Sequence, residues 1–192
     1  MTAERGLVAV WGTRWIPVTF VPWIVNWTMM SVPTLSPRLT IGLPLALALL
    51  LWGYRRVYGR PTWMESGTAL YFALAGIFMV SGSGFFNSYG DVAGSLALAG
   101  IWMGTLAKDM PLTGEYSKWQ WPEALWNNPV FVKTNAIITA FWGGVFLLQA
   151  VVALAGHYAP SAAVLWTVVR YLLLVPAFVF TAWFQKWYPA RG

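Results

Sequence analysis

Six long apolar stretches run along this chain, separated by charged or turn-forming residues. A helix rises about 1.5 Å per residue, so about 20 mostly apolar residues cross the hydrocarbon core of a bilayer. The stretches lie at residues 15–32, 39–54, 67–86, 92–107, 134–156 and 161–183. They predict an all-α, polytopic transmembrane helical bundle of about six spans, forming a single membrane domain over residues 1–192.

The first and sixth stretches contain residues that interrupt a helix. Pro17 and Pro22 remove backbone donors from the first stretch, which predicts a kinked or a re-entrant segment. Arg170 and Pro176 interrupt the sixth stretch. Between the third and fourth stretches, the turn-forming residues 87–91 predict the loop of a helical hairpin.

The composition supports a membrane protein. Hydrophobic residues make up 58% of the chain and charged residues 9%, whereas soluble domains carry about a quarter charged residues. The chain has no cysteine, which excludes disulfides, thiolate metal sites and iron–sulfur clusters. Its one histidine, His157, is too few for multi-histidine di-iron or bis-histidine haem sites. We therefore expect no metal and no cofactor.

The distribution of the twelve Lys and Arg residues predicts an orientation. Cytoplasmic loops next to membrane spans are enriched in basic residues. With the N-terminus inside, Arg38 alone lies outside, and ten basic residues lie in cytoplasmic segments: Arg5, Arg14, Arg55, Arg56, Arg60, Lys108, Lys118, Lys133, Lys186 and Arg191. This ratio predicts that both termini are cytoplasmic. The basic residues form no continuous face, so nucleic-acid binding is not predicted.

Many tryptophans lie near the ends of the predicted spans. They are Trp11, Trp15, Trp52, Trp63, Trp183 and Trp187. Tryptophan is enriched at both membrane–water interfaces, where its amphipathic ring sits at the level of the headgroups. Anchoring in an aromatic belt is therefore favoured over ligand binding for these residues.

Arg170 is the one basic residue that is predicted to lie inside a span. By helical rise it lies ~15 Å from the outer end of the sixth stretch, too deep for easy snorkelling. A buried guanidinium needs carboxylate, carbonyl or headgroup partners. Glu65 and Asp91 are the acidic residues near the membrane, on opposite predicted sides. A structural ion pair and an anion-binding site both fit this pattern.

A polar and aromatic face runs along the fifth stretch. Its members follow at intervals of four, three, four and three, which places them on one side of a helix: Asn135, Thr139, Trp142, Phe146 and Gln149. We expect this face to look into the bundle. Together with Arg170 it could line a ligand pocket or a polar path, but hydrogen bonding between helices is the favoured interpretation.

Small residues cluster on the third and fourth stretches, at Gly82 and Gly84 and at Gly100 and Gly104. Glycine lets two helix backbones approach closely in a membrane. The pattern predicts packing against a neighbouring helix of the same chain. A homodimer through the same Gly-rich faces is the alternative that the sequence leaves open.

The loop at residues 108–133 is the longest polar connection and is rich in acidic residues and tryptophan. These are Asp109, Glu115, Glu123, Trp119, Trp121 and Trp126. Pro122 suits the first position of a helix, which predicts a short helix over residues 122–126 lying along the headgroups. We expect Glu115 and the three tryptophans to dock at the interface, since no nucleophile, base or metal set accompanies the carboxylates.

The second half of the chain also carries several short motifs. They are Lys-Asp-Met-Pro-Leu at residues 108–112, Pro122, Trp126, Phe-Val-Lys-Thr-Asn at residues 131–135 and Phe-Trp at residues 141–142. In these motifs the chain resembles the intracellular septation protein A family, also called YciB. Phe131 stands where the family has Trp, and Trp142 replaces the second of two Phe. The resemblance implies an inner-membrane protein of envelope maintenance or septation, with no catalytic residue to carry over.

Three functions follow from these patterns. The leading hypothesis is a non-enzymatic inner-membrane protein that acts in cell-envelope or septation maintenance through membrane-protein partners. The first alternative is a small-solute or ion transporter or channel with a polar path along the fifth and sixth stretches. The second is an interfacial lipid-binding or lipid-modifying protein, in which loop carboxylates meet Arg55, Arg56 or Lys133 at a headgroup.

Overall fold

The computed structural model describes residues 12–32 and 34–191, without the side chains of Asn87 and Arg191. Trp11 of the predicted aromatic belt and Arg5 of the predicted cytoplasmic set lie outside the described residues. Within the described ranges the chain is helical and contains no strand. The prediction of an all-α fold is therefore confirmed.

The described ranges contain nine α-helices. They are α1 (Trp15–Thr19), α2 (Val21–Met30), α3 (Pro37–Tyr58), α4 (Trp63–Val80), α5 (Phe85–Gly104), α6 (Leu112–Ser117), α7 (Pro129–Tyr158), α8 (Ala163–Leu172) and α9 (Leu174–Trp187). Five segments are long and apolar enough to cross a membrane: Pro37–Tyr58, Trp63–Val80, Ser88–Ala107, Pro129–Tyr158 and Pro160–Trp187. These segments identify the chain as an integral membrane protein.

The chain divides into two compact units. The first unit consists of residues 1–90 and 116–120, and the second of residues 91–115 and 121–192. The first division falls within α5, one residue after Tyr89. This residue has a φ of −126° and a ψ of 17°, which are not helical values.

Prolines lie at the breaks in the first and sixth predicted spans. In the first, α1 and α2 are separated at Phe20, between Pro17 and Pro22. In the sixth, α8 ends at Leu172, and Pro176 lies four residues further on. A proline ring clashes with the carbonyl four residues before it and has no N–H to donate. The predicted interruptions are therefore present in both segments.

The first segment runs along α3 from one end to the other. Trp15 stacks on Tyr54 near the C-terminal end of α3, with 5.6 Å between the ring centroids. Eleven residues later, the Asn26 side-chain amide donates to the Thr40 carbonyl near the N-terminal end of α3, at 2.8 Å. The segment is therefore antiparallel to α3 and does not turn back on itself, as a re-entrant segment would.

The hairpin between α4 and α5 turns earlier than the sequence indicated. Helix α4 ends at Val80, and the chain turns over residues 81–84. Gly82 adopts a φ of +76°, a left-handed conformation that residues with a Cβ rarely adopt. Residues 87–91, predicted as the turn, lie within α5 instead.

In the second unit, α7 packs against α5 and α9. A Cβ added at Gly143 of α7 would lie 2.5 Å from Cγ of Met103, so the close approach of α5 depends on this glycine. At Gly100 and Gly104, by contrast, a Cβ would meet no described atom within 4 Å. The prediction that Gly100 and Gly104 pack against a neighbouring helix of the chain is therefore wrong. The close contact between α5 and α7 is formed at Gly143 instead.

Candidate functional site

Glu65 is a buried carboxylate in the first turn of α4, only 2% exposed. Thr62 precedes the helix, and its hydroxyl oxygen accepts from the Met64 N–H at 3.2 Å. In return, Oε2 of Glu65 accepts from the backbone N–H of Thr62 at 2.6 Å and from its hydroxyl. This reciprocal arrangement is a capping box, which satisfies donors that a helix start otherwise leaves unpaired.

Two other helices supply partners to the Glu65 carboxylate. Trp15 of α1 donates its indole N–H to Oε1 at 2.8 Å. Arg55 of α3 places its Nε 3.7 Å from the same oxygen, and its guanidinium carbon lies 5.7 Å from the centroid of the Trp15 ring. Arg55 is 6% exposed. The ion pair is thus buried, where the loss of one partner leaves an uncompensated charge.

Tyr116 of α6 completes this set of side chains. Its hydroxyl lies 2.8 Å from Oγ1 of Thr62 and 3.4 Å from Oε1 of Glu65. Burial raises the pKa of Tyr116 well above the usual tyrosine value, and the negative charge of Glu65 raises it further. The phenol therefore keeps its proton at neutral pH and acts as a donor. We call Glu65, Thr62, Trp15, Arg55 and Tyr116 the Glu65 cluster.

The sequence predicted other roles for three members of the Glu65 cluster. Trp15 was assigned to the aromatic belt, but it is 7% exposed and bonded to Glu65, so that assignment is wrong. Glu65 was a candidate partner for Arg170, and Arg55 a candidate headgroup ligand, yet they pair with each other. The Thr-x-x-Glu spacing at residues 62–65 is the local signal that could have identified the capping box.

Arg170 of α8 forms an ion pair with Asp91 of α5. Its Nη1 donates to Oδ2 of Asp91 at 3.2 Å, and its Nη2 lies 3.5 Å from Oγ of Ser95. His157, near the end of α7, places Nε2 3.3 Å from Oδ1 of the same carboxylate. We call Arg170, Asp91 and His157 the Asp91 cluster. It joins three helices of the second unit, and its side chains are 20%, 30% and 33% exposed, respectively.

The predicted polar face of α7 is buried. Its members are Asn135, Thr139, Trp142, Phe146 and Gln149. The Thr139 hydroxyl lies 2.9 Å from the hydroxyl of Thr113 on α6, which in turn donates to the Asn135 carbonyl at 2.8 Å. The backbone N–H of Thr113 also donates to the Thr139 hydroxyl, at 3.2 Å. These contacts attach α6 to α7.

Two further side chains of this face bond to other helices. Trp142 donates its indole N–H to the hydroxyl of Thr181 on α9 at 2.9 Å. Gln149 donates to the backbone carbonyl of Arg170 on α8 at 2.8 Å. The Asn135 amide instead donates to the Phe131 carbonyl of its own helix at 2.9 Å. Interhelical hydrogen bonding thus accounts for Trp142 and Gln149, as it does for Thr139.

The connecting loop contains a helix at a different place from the predicted one. Residues 122–126 form a 3₁₀ turn, Glu123–Leu125, and the α-helix of the loop is α6. Glu115 lies on α6 and is half-buried. Helix α6 also carries Thr113 and Tyr116, which form hydrogen bonds with buried residues of other helices.

The loop tryptophans differ in their surroundings. Trp119 is half-buried, with Nζ of Lys118 5.2 Å from its ring centroid. Trp121 is 53% exposed and presents its ring at the surface. Trp126 is half-buried and donates its indole N–H to the Trp121 carbonyl at 3.0 Å. An exposed Trp121 ring is compatible with contact to an interface.

The side chains of these clusters donate and accept hydrogen bonds and form ion pairs. In residues 12–32 and 34–191, no group of three His, Asp or Glu side chains is placed to share a metal ion. No family model, curated protein or solved structure matches the chain.

Proposed function

We propose that this chain is a non-enzymatic protein of the bacterial inner membrane that acts in cell-envelope or septation maintenance by binding other membrane proteins. Both termini are cytoplasmic in this proposal, because ten basic residues then lie inside and Arg38 alone lies outside. The motifs of residues 108–142 that resemble the intracellular septation protein A family support the same role.

The main support for this proposal is that the buried polar side chains form hydrogen bonds between helices. Glu65 takes hydrogen bonds from α1, from α6 and from the segment before α4. Trp142 and Gln149 each bond to a different helix. Polar side chains that bond across helices fix one arrangement of a bundle. A fixed arrangement suits a protein that presents a constant surface to its partners.

The face of α5 that carries Gly100 and Gly104 is the partner surface in this proposal. No described atom lies within 4 Å of a Cβ added at either position, and Leu96, one turn earlier, is 49% exposed. Two small residues four positions apart let a second helix approach closely. A helix of another membrane protein is the occupant in this proposal, and a second copy of the chain is the alternative.

Crosslinking from a single thiol tests the partner surface. Because the chain has no cysteine, Gly100→Cys introduces a unique attachment point for a thiol-directed photocrosslinker. In native membranes we expect this variant to capture a second copy or one recurrent membrane protein, identified by mass spectrometry. The matched control is Leu50→Cys, at a position of α3 where Leu50 is 68% exposed. It is expected to capture no recurrent protein.

Equal capture from positions 100 and 50 would contradict the proposed surface. Purification of the protein as a monomer with no associated protein, combined with turnover of a small molecule, would contradict partner binding as its function.

A further inference from the structure

A cavity of about 160 Å³ opens in the first unit, between α2, α3, α4 and the beginning of α5. Most of its lining residues are apolar or aromatic, polar atoms also contribute to its surface, and the lining residues that the structure describes carry no charge. The lining residues include Asn26, Met29, Met30, Tyr71, Phe72 and Phe86. An apolar protein cavity of about 150 Å³ is large enough to hold one benzene molecule. The space therefore suits a single six-membered ring.

Asn26 is the polar side chain that distinguishes this cavity from a simple packing defect. It is 6% exposed and lies on the cavity wall. Its amide nitrogen donates to the Thr40 carbonyl at 2.8 Å, which leaves the carboxamide oxygen as the remaining acceptor. Within the described chain no hydrogen bond to this oxygen is formed. An occupant of the cavity that carries a donor can therefore form a hydrogen bond with this oxygen.

The remaining wall suits an aromatic ring. Tyr71 meets Phe72 and Phe86 in edge-to-face geometry, with centroid distances of 5.0 and 5.9 Å. Met29 and Met30 add flexible thioether side chains that make favourable contacts with aromatic rings. The Tyr71 hydroxyl is directed to the Gly90 carbonyl at 3.2 Å. The Asn26 carboxamide oxygen is thus the acceptor with which the cavity can bind a ligand that carries a hydrogen-bond donor.

We propose that this cavity binds a small aromatic alcohol, a phenol-type ring whose O–H donates to the carboxamide oxygen of Asn26. An acyl chain would fill the same apolar space but would leave that oxygen without a donor. A charged ligand would lose its hydration against a wall without counter-charge. This binding function is additional to the partner binding proposed above and uses a different part of the chain.

A pair of ligands that differ only in the donor tests the proposal. The purified full chain in lipid nanodiscs is titrated with 4-fluorophenol and with 4-fluorotoluene, and binding is followed by ¹⁹F NMR against empty nanodiscs. The hydroxyl and methyl groups are similar in size, so the comparison isolates the hydrogen bond. We expect 4-fluorophenol to bind about tenfold more tightly than 4-fluorotoluene after correction for partitioning into lipid.

Two variants test whether a difference in affinity between the two ligands arises in this cavity. Asn26→Leu keeps the shape of the side chain but removes the acceptor, so the two ligands are expected to bind within about twofold of each other. Ala75→Leu introduces three carbon atoms at a lining position that is 1% exposed, and it is expected to abolish binding of both ligands. Circular dichroism and size-exclusion chromatography establish that each variant is folded.

Three results would overturn the proposal. The first is equal affinity of the original chain for the two ligands. The second is the failure of both to bind, which would leave water as the occupant beside Asn26. The third is an unchanged preference for 4-fluorophenol in Asn26→Leu. The first two need no variant, so the test does not depend on the folding of an altered chain.

Discussion

Glu65→Leu is expected to lower the free energy of unfolding by about 3–5 kcal/mol, because it leaves a buried charge and several buried donors without their acceptor. The Arg55 guanidinium loses its carboxylate, and the indole N–H of Trp15 and the backbone N–H of Thr62 lose their hydrogen bonds. Chemical unfolding in detergent, followed by tryptophan fluorescence, measures the change.

The matched control for this prediction is Asp109→Leu, at an exposed position of the connecting loop. It should change the free energy of unfolding by less than about 0.5 kcal/mol, as is usual for surface substitutions. The double variant Arg55→Met, Glu65→Leu removes both charges and is expected to be more stable than Glu65→Leu alone. Similar losses in Glu65→Leu and Asp109→Leu would show that the Glu65 cluster does not stabilise the fold.

Asp91→Leu is expected to lower the free energy of unfolding by about 2 kcal/mol, the second largest effect. Without this carboxylate, Arg170 and His157 lose their common partner. The loss is smaller than at Glu65, because the Asp91 side chain is 30% exposed and solvent screens its charge. The same unfolding measurement in detergent gives the value.

Asp109→Leu provides the comparison, since Asp109 is exposed in the loop. The double variant Asp91→Leu, Arg170→Leu should recover part of the lost stability by removing the guanidinium as well. If the double variant is as unstable as the sum of its single variants, Asp91 and Arg170 are not energetically coupled.

The apolar pattern was sufficient to locate the long helices. The fifth stretch, predicted over residues 134–156, lies within α7 (Pro129–Tyr158), since an uncharged run of this length has few alternatives to a membrane helix. The turn before α5 was harder to place, because Gly and Ser occur at both candidate sites. In the structure the turn lies at residues 81–84, where Gly82 adopts a left-handed conformation. Sequence composition alone does not distinguish this site from residues 87–91.

The spacing of residues in the sequence predicts which side chains share one face of a helix. It does not predict which residues of other helices they contact. The periodicity of α7 placed Thr139 and Gln149 on one buried face. Their partners, Thr113 and the Arg170 carbonyl, lie on other helices. The contact between Tyr116 and Glu65 spans 51 residues of sequence and depends on packing that no local pattern encodes.

Labelling of single cysteines distinguishes most directly between a six-span scaffold and a re-entrant or channel-like fold. Arg14→Cys, Ser83→Cys and Thr139→Cys are treated with a membrane-impermeant maleimide, in intact cells and in inverted vesicles. We expect Ser83→Cys to react only from outside, Arg14→Cys only from the cytoplasmic side, and Thr139→Cys only after denaturation. Labelling of positions 14 and 83 from the same side, or of position 139 in the folded protein, would contradict this account.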